Sequence, residues 1–237
     1  MSAGCIGSVL TSPLRWNGRD AAWAGGLALS AGGSFLLDDE VRSLALRNQS
    51  QFNDDVVVPV GHLYATVLYV GPSALVMYLA GRAFDDPWVH DTGQMLVESV
   101  ITIGIVQVPL SIAVGRARPF FNEGNTSFKA FAGTNDDRAS FFSGHSMVAF
   151  SFSTILSHQI GNTWASIGLY ALAALGPYAR LYKDKHWFSD TFPGCALGVF
   201  AGNSIWEWHQ QHKQERGTES GFKILPSPAG VSVVWTF

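Results

Sequence analysis

The chain has 237 residues, long enough for one large domain or at most two small ones. Its formal net charge is -3, so it lacks the basic surface of a nucleic-acid-binding protein, and we set that class of function aside. Only 14% of the residues are charged and 47% are apolar, whereas soluble domains carry about 25% charged residues. This composition favours a protein associated with a membrane.

The two cysteines, Cys5 and Cys195, lie far apart and match no metal-binding spacing. We therefore expect them to be unpaired or structural, and we predict no metal and no cofactor. Cys5 follows Ser2-Ala3-Gly4, which has the form of a lipoprotein cleavage site without the apolar run that should precede it. We expect a chance match; the alternative is that a signal segment precedes this sequence.

Six apolar segments predict an all-α fold, because each can form a helix and polar stretches separate them. The predicted helices cover residues 21–37, 56–79, 95–114, 145–159, 164–178 and 186–208. Together they would form one helical domain of residues 21–210. A surface arm of residues 1–20 precedes it, and a tail of residues 211–237 with a short strand at 231–237 follows.

We expect these helices to cross a membrane, where a span needs about 17–25 residues. The second segment is the strongest candidate, since it is apolar apart from His62. Several other segments are short, and the mean hydropathy is only +0.16. A soluble or peripheral helical bundle is therefore the alternative.

Alternating helix directions would bring several chemically active residues to one rim of the bundle. The third predicted helix would end where the fourth begins, and the fifth would end where the sixth begins. Residues 120–140 form a long polar loop beside this rim, and loops of this length are usually functional or mobile. The residues predicted to meet at the rim are Arg118, Ser143, His145, Arg180, His186 and Asp190.

The stretch Ser143-Gly144-His145 begins the fourth predicted helix and has the features of an anion site. Free N–H groups and the positive end of the helix dipole attract an anion, and glycine allows close approach. Arg118 and Arg180 would add guanidinium groups, which bind phosphate through two parallel hydrogen bonds. The pattern predicts a phosphate cradle; the simpler alternatives are an ordinary helix N-cap and interfacial arginines.

His186 and Asp190 are four residues apart, so on a helix they would share a face. The carboxylate could then hold one ring nitrogen and leave the other free to attack, as in an oriented nucleophile or base. His145 would be available as general acid for the leaving group. The alternative is a helix-surface contact without catalytic function.

Three short motifs carry these residues in order along the chain. They are Ser111 through Arg118-Pro119, then Phe142-Ser143-Gly144-His145, then Ala179-Arg180 followed by His186 and Asp190. They resemble the motifs K-x6-R-P, P-S-G-H and S-R-x5-H-x3-D of the type 2 phosphatidic acid phosphatase (PAP2) superfamily. The motifs and the helical pattern together cover about residues 20–210.

The resemblance implies a six-helix bundle that removes phosphate from a lipid phosphate or diphosphate without a metal. It implies that His186 forms a phosphohistidine intermediate, that Asp190 orients His186, and that His145 protonates the leaving oxygen and then assists attack by water. Four further motif residues would bind the phosphoryl oxygens: Arg118, Arg180, Ser143 and Gly144.

Three positions depart from the family pattern: Ser111 replaces the lysine, Phe142 the proline and Ala179 the serine. The lysine is the serious loss, because one cation is missing from the cradle. Arg116 is a candidate replacement, although residues two apart on a helix point in nearly opposite directions. Lys183 and Lys185 are others. We expect weaker phosphate binding or altered substrate choice rather than inactivity.

The partners that the resemblance implies are a lipid phosphate substrate and membrane lipids, with the oligomeric state left open. The candidate substrates are phosphatidic acid, phosphatidylglycerol phosphate, undecaprenyl diphosphate and the phosphates of lipid A. We expect a bacterial inner-membrane location with the site facing the periplasm; the alternatives are a periplasmic or outer-membrane-associated protein.

Two other functions fit parts of the pattern. Vanadium-dependent haloperoxidases resemble the same motif set, but they are typically larger and soluble. A catalytically weakened membrane scaffold would account for Ser111 and Ala179.

Overall fold

The computed structural model describes residues 3–131, 136–218, 222–227 and 230–235, which form a helical bundle and one hairpin. The helices are α1 (Ala3–Thr11), α2 (Gly18–Ser34), α3 (Asp38–Arg47), α4 (Val58–Ala65), α5 (Val67–Ala83), α6 (Pro87–Val114), α7 (Gly144–Ile160), α8 (Thr163–Tyr182) and α9 (Phe188–Thr218). The strands are β1 (Phe222–Ser227) and β2 (Gly230–Trp235).

The prediction of an all-α fold is confirmed, although the described residues contain more helices than six. The predicted segments correspond to α2, to α4 with α5, and to α6 through α9. The second segment is divided because Thr66 has an extended backbone, with φ -93° and ψ 123°. The acidic residues 38–40 form the first turn of α3, where their negative charges interact favourably with the positive end of the helix dipole.

Helix α7 lies at the centre of the bundle and packs against α6, α8 and α9. Its buried side chains Met147, Phe152 and Ile155 belong to the largest apolar cluster. The approach of α9 to α7 is close, since a Cβ atom on Gly198 would lie 2.4 Å from the carbonyl oxygen of Met147. This contact fixes the start of α7 against the start of α9, where the predicted site lies.

The surface position predicted for residues 1–20 is wrong for α1. Cys5 and Val9 are buried in the largest apolar cluster, and α1 contacts both α6 and α9. Both cysteines are free, as expected, although Cys5 is fully buried. The domain boundaries themselves stay a prediction.

The C-terminal segment forms a hairpin in which β1 and β2 pair antiparallel, with Phe222 opposite Trp235 and Ser227 opposite Gly230. The strand predicted at residues 231–237 therefore exists as β2. Its last two residues lie outside the described part of the chain.

The described helices offer fewer membrane spans than the six predicted segments. Helix α6 is long and apolar enough to cross a membrane, and only 28% of its most apolar stretch is buried. A π-helical turn at Asn53–Val57 continues into α4, and this segment and α5 meet the same criteria together, with a bend of 55° between them. Length and composition thus indicate one membrane span among the described helices, or two spans if the bent pair is counted as a single span.

Candidate active site

The start of α7 is built as the sequence indicates. Ser143 is the N-cap, and its hydroxyl oxygen accepts from the N–H of Ser146 at 3.4 Å. The backbone N–H of Ser143 donates to the carbonyl oxygen of Asp190 at 3.1 Å, which ties the start of α7 to the start of α9. Gly144 follows in a confined position, since a Cβ atom there would lie 3.3 Å from Cδ of Gln107. The N-cap interpretation of Ser143 is confirmed.

The two predicted catalytic histidines face each other across the rim. His145 lies in the first turn of α7 and His186 in the loop between α8 and α9, and their ring centroids are 6.4 Å apart. Both side chains line a cavity of about 530 Å³. The tertiary fold therefore brings together the pair of imidazoles that the helix directions predict.

The hydrogen bond of His186 defines its tautomer. Nδ1 lies 2.8 Å from the carbonyl oxygen of Ser140. Because a carbonyl oxygen can only accept, Nδ1 carries the proton and the lone pair is on Nε2. Oδ2 of Asp190 lies 3.7 Å from the same Nδ1, within the distance of an ion pair but longer than a hydrogen bond. His186 does not lie on the helix as predicted, because α9 begins at Phe188.

The carboxylate of Asp190 is instead held by three other donors. Oδ2 accepts from the backbone N–H of Trp187 at 2.8 Å and from the hydroxyl of Ser140. Asp190 is the third residue of α9, and its contact with the N–H of Trp187, the residue before the helix, is one of the two hydrogen bonds of a capping box. Oδ1 accepts from Nη1 of Arg116 at 2.5 Å. Asp190 therefore orients His186 indirectly, because Ser140 contacts both residues.

Arg116 is the centre of a fully buried ionic network. Its Nη2 lies 2.7 Å from Oδ2 of Asp38, while Nη1 also donates to the hydroxyl of Ser189 at 2.8 Å. The guanidinium also stacks over the ring of Phe35 at 4.3 Å. The proposal that Arg116 replaces the motif lysine is therefore wrong: its charge is used by two carboxylates, and it does not line the cavity.

Arg118 and Arg180 lie beside the histidines. Arg118 lines the cavity, and its Nη1 donates to the carbonyl oxygen of Lys185 at 3.4 Å. Both guanidinium charges act on both imidazoles, which places the two arginines around the same space. Among the described residues that line the cavity, Arg118 is the one permanent cation.

Burial and positive charge keep both histidines neutral. Burial, followed by the charge of Arg180, lowers the pKa of His145 to about 2. Burial lowers the pKa of His186 to about 4, although Asp190 opposes the shift. For Asp190 burial raises the pKa, but contacts with His186, Arg116 and Ser140 outweigh it and the net shift is downward. At neutral pH the site therefore combines two neutral imidazoles with a carboxylate.

The position of the missing lysine opens onto the cavity. Ser111 lines it, and the buried hydroxyl of Ser111 has no hydrogen-bond partner among the described residues. The two lysines considered as replacements lie elsewhere: Lys183 pairs with Asp54 at 2.5 Å, and Lys185 lies 4.3 Å from the ring centroid of Phe120. None of the expected replacements for the lysine reaches the cavity.

Sequence reasoning missed three residues of the site. Gln107 lines the cavity, and its Nε2 donates to the carbonyl oxygen of Phe142 at 3.2 Å. The ring of His62 stacks on His145 at a centroid distance of 6.0 Å. Ser140 links His186 to Asp190. Gln107 and His62 were visible as polar residues inside apolar segments, whereas no sequence signal distinguishes Ser140.

Apolar side chains form much of the remaining lining of the cavity, which reaches the outer surface. The opening lies between the start of α5 and the middle of α6, next to the break at Thr66. Leu68 and Val108 line the cavity, and their side chains are 72% and 50% exposed on the outside of the bundle. The other apolar lining residues there are Val67, Val100 and Ile103. The cavity thus connects two histidines with an apolar opening.

The fold and this site define a helical protein in which two facing histidines and Arg118 line a cavity at a helix N-terminus, with the charge of Arg180 acting on both histidines. The family model described as PAP2 superfamily matches residues 94–214, which include every predicted site residue. The chain belongs to this superfamily.

Relatives and solved structures point the same way. An 83-residue stretch, 34% of this chain, is 30% identical to the lipid A 1-phosphatase of Porphyromonas gingivalis and spans only 19% of that protein. The fold resembles the transmembrane PAP2 type phosphatidylglycerolphosphate phosphatase from Bacillus subtilis, with a TM-score of 0.62, 18% identity, and coverage of 78% of this chain and 95% of that one. For Aquifex aeolicus LpxE the TM-score is 0.52 and the identity 20%, with coverage of 72% and 95%.

Proposed function

We propose that this protein is a phosphatase that removes phosphate from a lipid phosphate or diphosphate. The observation that carries the proposal is the cavity, whose lining combines two histidines and Arg118 with apolar side chains that reach the outer surface. A phosphate group would lie beside the histidines and Arg118, and an acyl or prenyl chain against the apolar side chains. Membership of the PAP2 superfamily supports the same activity.

In the proposed first step, Nε2 of His186 attacks the phosphorus atom. A P–N bond forms as the bond to the leaving oxygen breaks. The products are a phosphohistidine and either an alcohol, from a phosphomonoester, or a lipid monophosphate, from a diphosphate. Ser140 fixes the tautomer that this attack needs, because its carbonyl oxygen holds the Nδ1 proton. Arg118, Arg180, the hydroxyl of Ser143 and the N–H of Gly144 would bind the phosphoryl oxygens.

His145 is the proposed general acid, and the substrate itself would supply the charge that lets it act. The positive charges of Arg180 and Arg118 contribute to its low pKa. A phosphate with up to two negative charges placed between them offsets these charges and favours the imidazolium form. His145 would donate this proton to the leaving oxygen, then accept one from the water that hydrolyses the phosphohistidine.

The apolar exterior supports a position in the membrane. The opening of the cavity lies between α5 and α6, which both belong to candidate spans. Exposed apolar side chains such as Trp23, Leu29, Val76 and Ile167 extend this surface onto α2, α5 and α8. A lipid substrate could therefore enter from the bilayer. We propose the bacterial inner membrane with the site facing the periplasm.

The substrate is proposed only as a class. Lipid A phosphates are favoured by the stretch shared with the lipid A 1-phosphatase, whereas phosphatidylglycerol phosphate is favoured by the fold neighbour from Bacillus subtilis. Phosphatidic acid and undecaprenyl diphosphate present the same phosphoryl group on an apolar anchor.

A phosphate-release assay across these four lipids in detergent micelles tests the activity. We expect release from at least one lipid, and we expect His186→Ala to abolish it. A matched control is His158→Ala, since His158 is an exposed residue that stacks on Trp206 away from the cavity. If no lipid phosphate is hydrolysed by the folded wild type, the protein is a scaffold and the proposal is wrong.

Vanadate separates the phosphatase from a haloperoxidase. As a mimic of pentacoordinate phosphorus, vanadate should inhibit phosphate release by the wild-type protein. Bromide oxidation that appears when vanadate and peroxide are added would instead support the haloperoxidase alternative.

A further inference from the structure

Three potential metal ligands meet in the core at a distance from the phosphate site. Cys5 comes from α1, Glu98 from α6 and His209 from α9, and their exposed fractions are 0%, 0% and 4%. One ligand atom from each side chain lies within 4.8 Å of the other two. Nε2 of His209 and Oε2 of Glu98 are 2.7 Å apart.

The surroundings of this cluster make its composition unusual. Met95 and Ile205 are both fully buried, and together with Cys5 they belong to the largest apolar cluster. A buried carboxylate is costly unless it is paired, hydrogen-bonded or bound to a metal. The other carboxylate oxygen of Glu98 accepts from Nε2 of Gln94 at 3.0 Å, which orients the side chain from the same helix.

We propose that Cys5, Glu98 and His209 bind one divalent transition-metal ion, with Zn²⁺ as the best fit. Thiolate, imidazole and carboxylate are the three ligand types that Zn²⁺ takes in proteins, at about 2.0–2.3 Å. A tetrahedral ion at these distances separates its ligand atoms by roughly 3.5 Å. The three atoms could therefore surround an ion after the His209–Glu98 contact widens by less than about 1 Å, with water as fourth ligand.

The metal would have a structural role. Glu98 precedes Ser111 by 13 residues on α6, and the rise of about 1.5 Å per residue separates these two residues by about 20 Å along the helix axis. The ion would join three helices and hold α1 in the core. Binding would also release the Cys5 proton, because a thiol coordinates a metal as the thiolate.

Cobalt binding to the full chain, purified without a polyhistidine tag and treated with chelator, tests the proposal. We expect about one Co²⁺ per chain and a thiolate-to-cobalt charge-transfer band in the near ultraviolet, which Zn²⁺ abolishes by displacement. Cys5→Ser should remove the band and weaken binding at least tenfold. His209→Gln should weaken binding by a similar factor. Cys195→Ser is the matched control, because the other free cysteine lies outside the cluster and its loss should leave the band intact.

A thermal-unfolding measurement gives a second readout that does not depend on the cobalt spectrum. Zn²⁺ should raise the Tm of chelator-treated wild-type protein and of Cys195→Ser, but not that of Cys5→Ser. The proposal is overturned if the wild type binds no cobalt, or if Cys5→Ser keeps the charge-transfer band. It is also overturned if Zn²⁺ shifts the Tm of Cys5→Ser as much as that of the wild type.

Discussion

Arg116 holds the carboxylate of Asp190 through a contact of 2.5 Å between Nη1 and Oδ1, and both side chains are fully buried. The same guanidinium binds Asp38 at the start of α3, so a helix outside the three motifs supports the residue that helps to position His186. Since Ser140 contacts both Asp190 and His186, a displacement of Arg116 would be transmitted to the proposed nucleophile.

Arg116→Lys tests this support. A lysine keeps the charge but cannot contact Asp38, Ser189 and Asp190 together, so we expect kcat to fall on the order of 10- to 100-fold with little change in KM. Asp38→Asn should act in the same direction, although it lies outside every motif. Arg138→Lys is the control, since its pair with Glu123 is partly exposed, and it should keep nearly full activity. An Arg116→Lys variant that changes only KM would place Arg116 in substrate binding instead.

Ser111→Lys should restore the missing cation of the phosphate site. Ser111 lines the cavity near Arg118, so a lysine there could reach the phosphoryl group. We expect kcat/KM for the preferred lipid phosphate to rise at least severalfold, measured by phosphate release. Ser111→Met fills similar space without charge and should give no gain. An unchanged or reduced value for the lysine variant would mean that the site already compensates for the serine.

Val108→Trp should separate lipid substrates from small ones. Val108 lines the apolar part of the cavity and is 50% exposed, so a larger side chain would narrow the opening without filling the core. KM for long-chain lipid phosphates should rise at least severalfold, while hydrolysis of a water-soluble aryl phosphate changes little. Equal losses for both substrates would indicate that this part of the cavity does not bind the lipid chain.

Acidification should destabilise the protein through His186. Its pKa is about 4 in the folded chain and about 6.5 in an unfolded one. Between these values the unfolded chain binds a proton that the folded chain does not, so stability falls as pH falls, by up to about 1.4 kcal/mol per pH unit. We expect the Tm of wild type in detergent to drop from pH 7 to pH 5.

The control for this pH effect is His186→Gln, which removes the titrating group. Its Tm should fall less over the same interval, and His145→Gln should behave alike because the pKa of His145 is also lowered. If the Tm of all three proteins falls by the same amount between pH 7 and pH 5, the destabilisation comes from other titrating groups.

The all-α class, the position of the main helices and the meeting of His145 with His186 at one rim could all be predicted from the sequence. Apolar periodicity and polar interruptions are local properties, and alternating helix directions are enough to bring the start of α7 and the start of α9 to one side. That is why His145 and His186 could be placed together before their distance was known. The N-cap of Ser143 was equally readable, because capping depends on neighbouring residues.

The hydrogen-bond and ion-pair partners of the buried charged side chains could not be predicted, because they depend on packing between helices. The spacing of His186 and Asp190 indicated a direct contact, but the helix begins two residues after His186 and the carboxylate is used by Arg116, Trp187 and Ser140. The grouping of Cys5, Glu98 and His209 was invisible for the same reason, since these residues lie on three helices far apart in the chain. A sequence specifies which residues lie on one helix face, whereas packing between helices decides which charges and ligands meet.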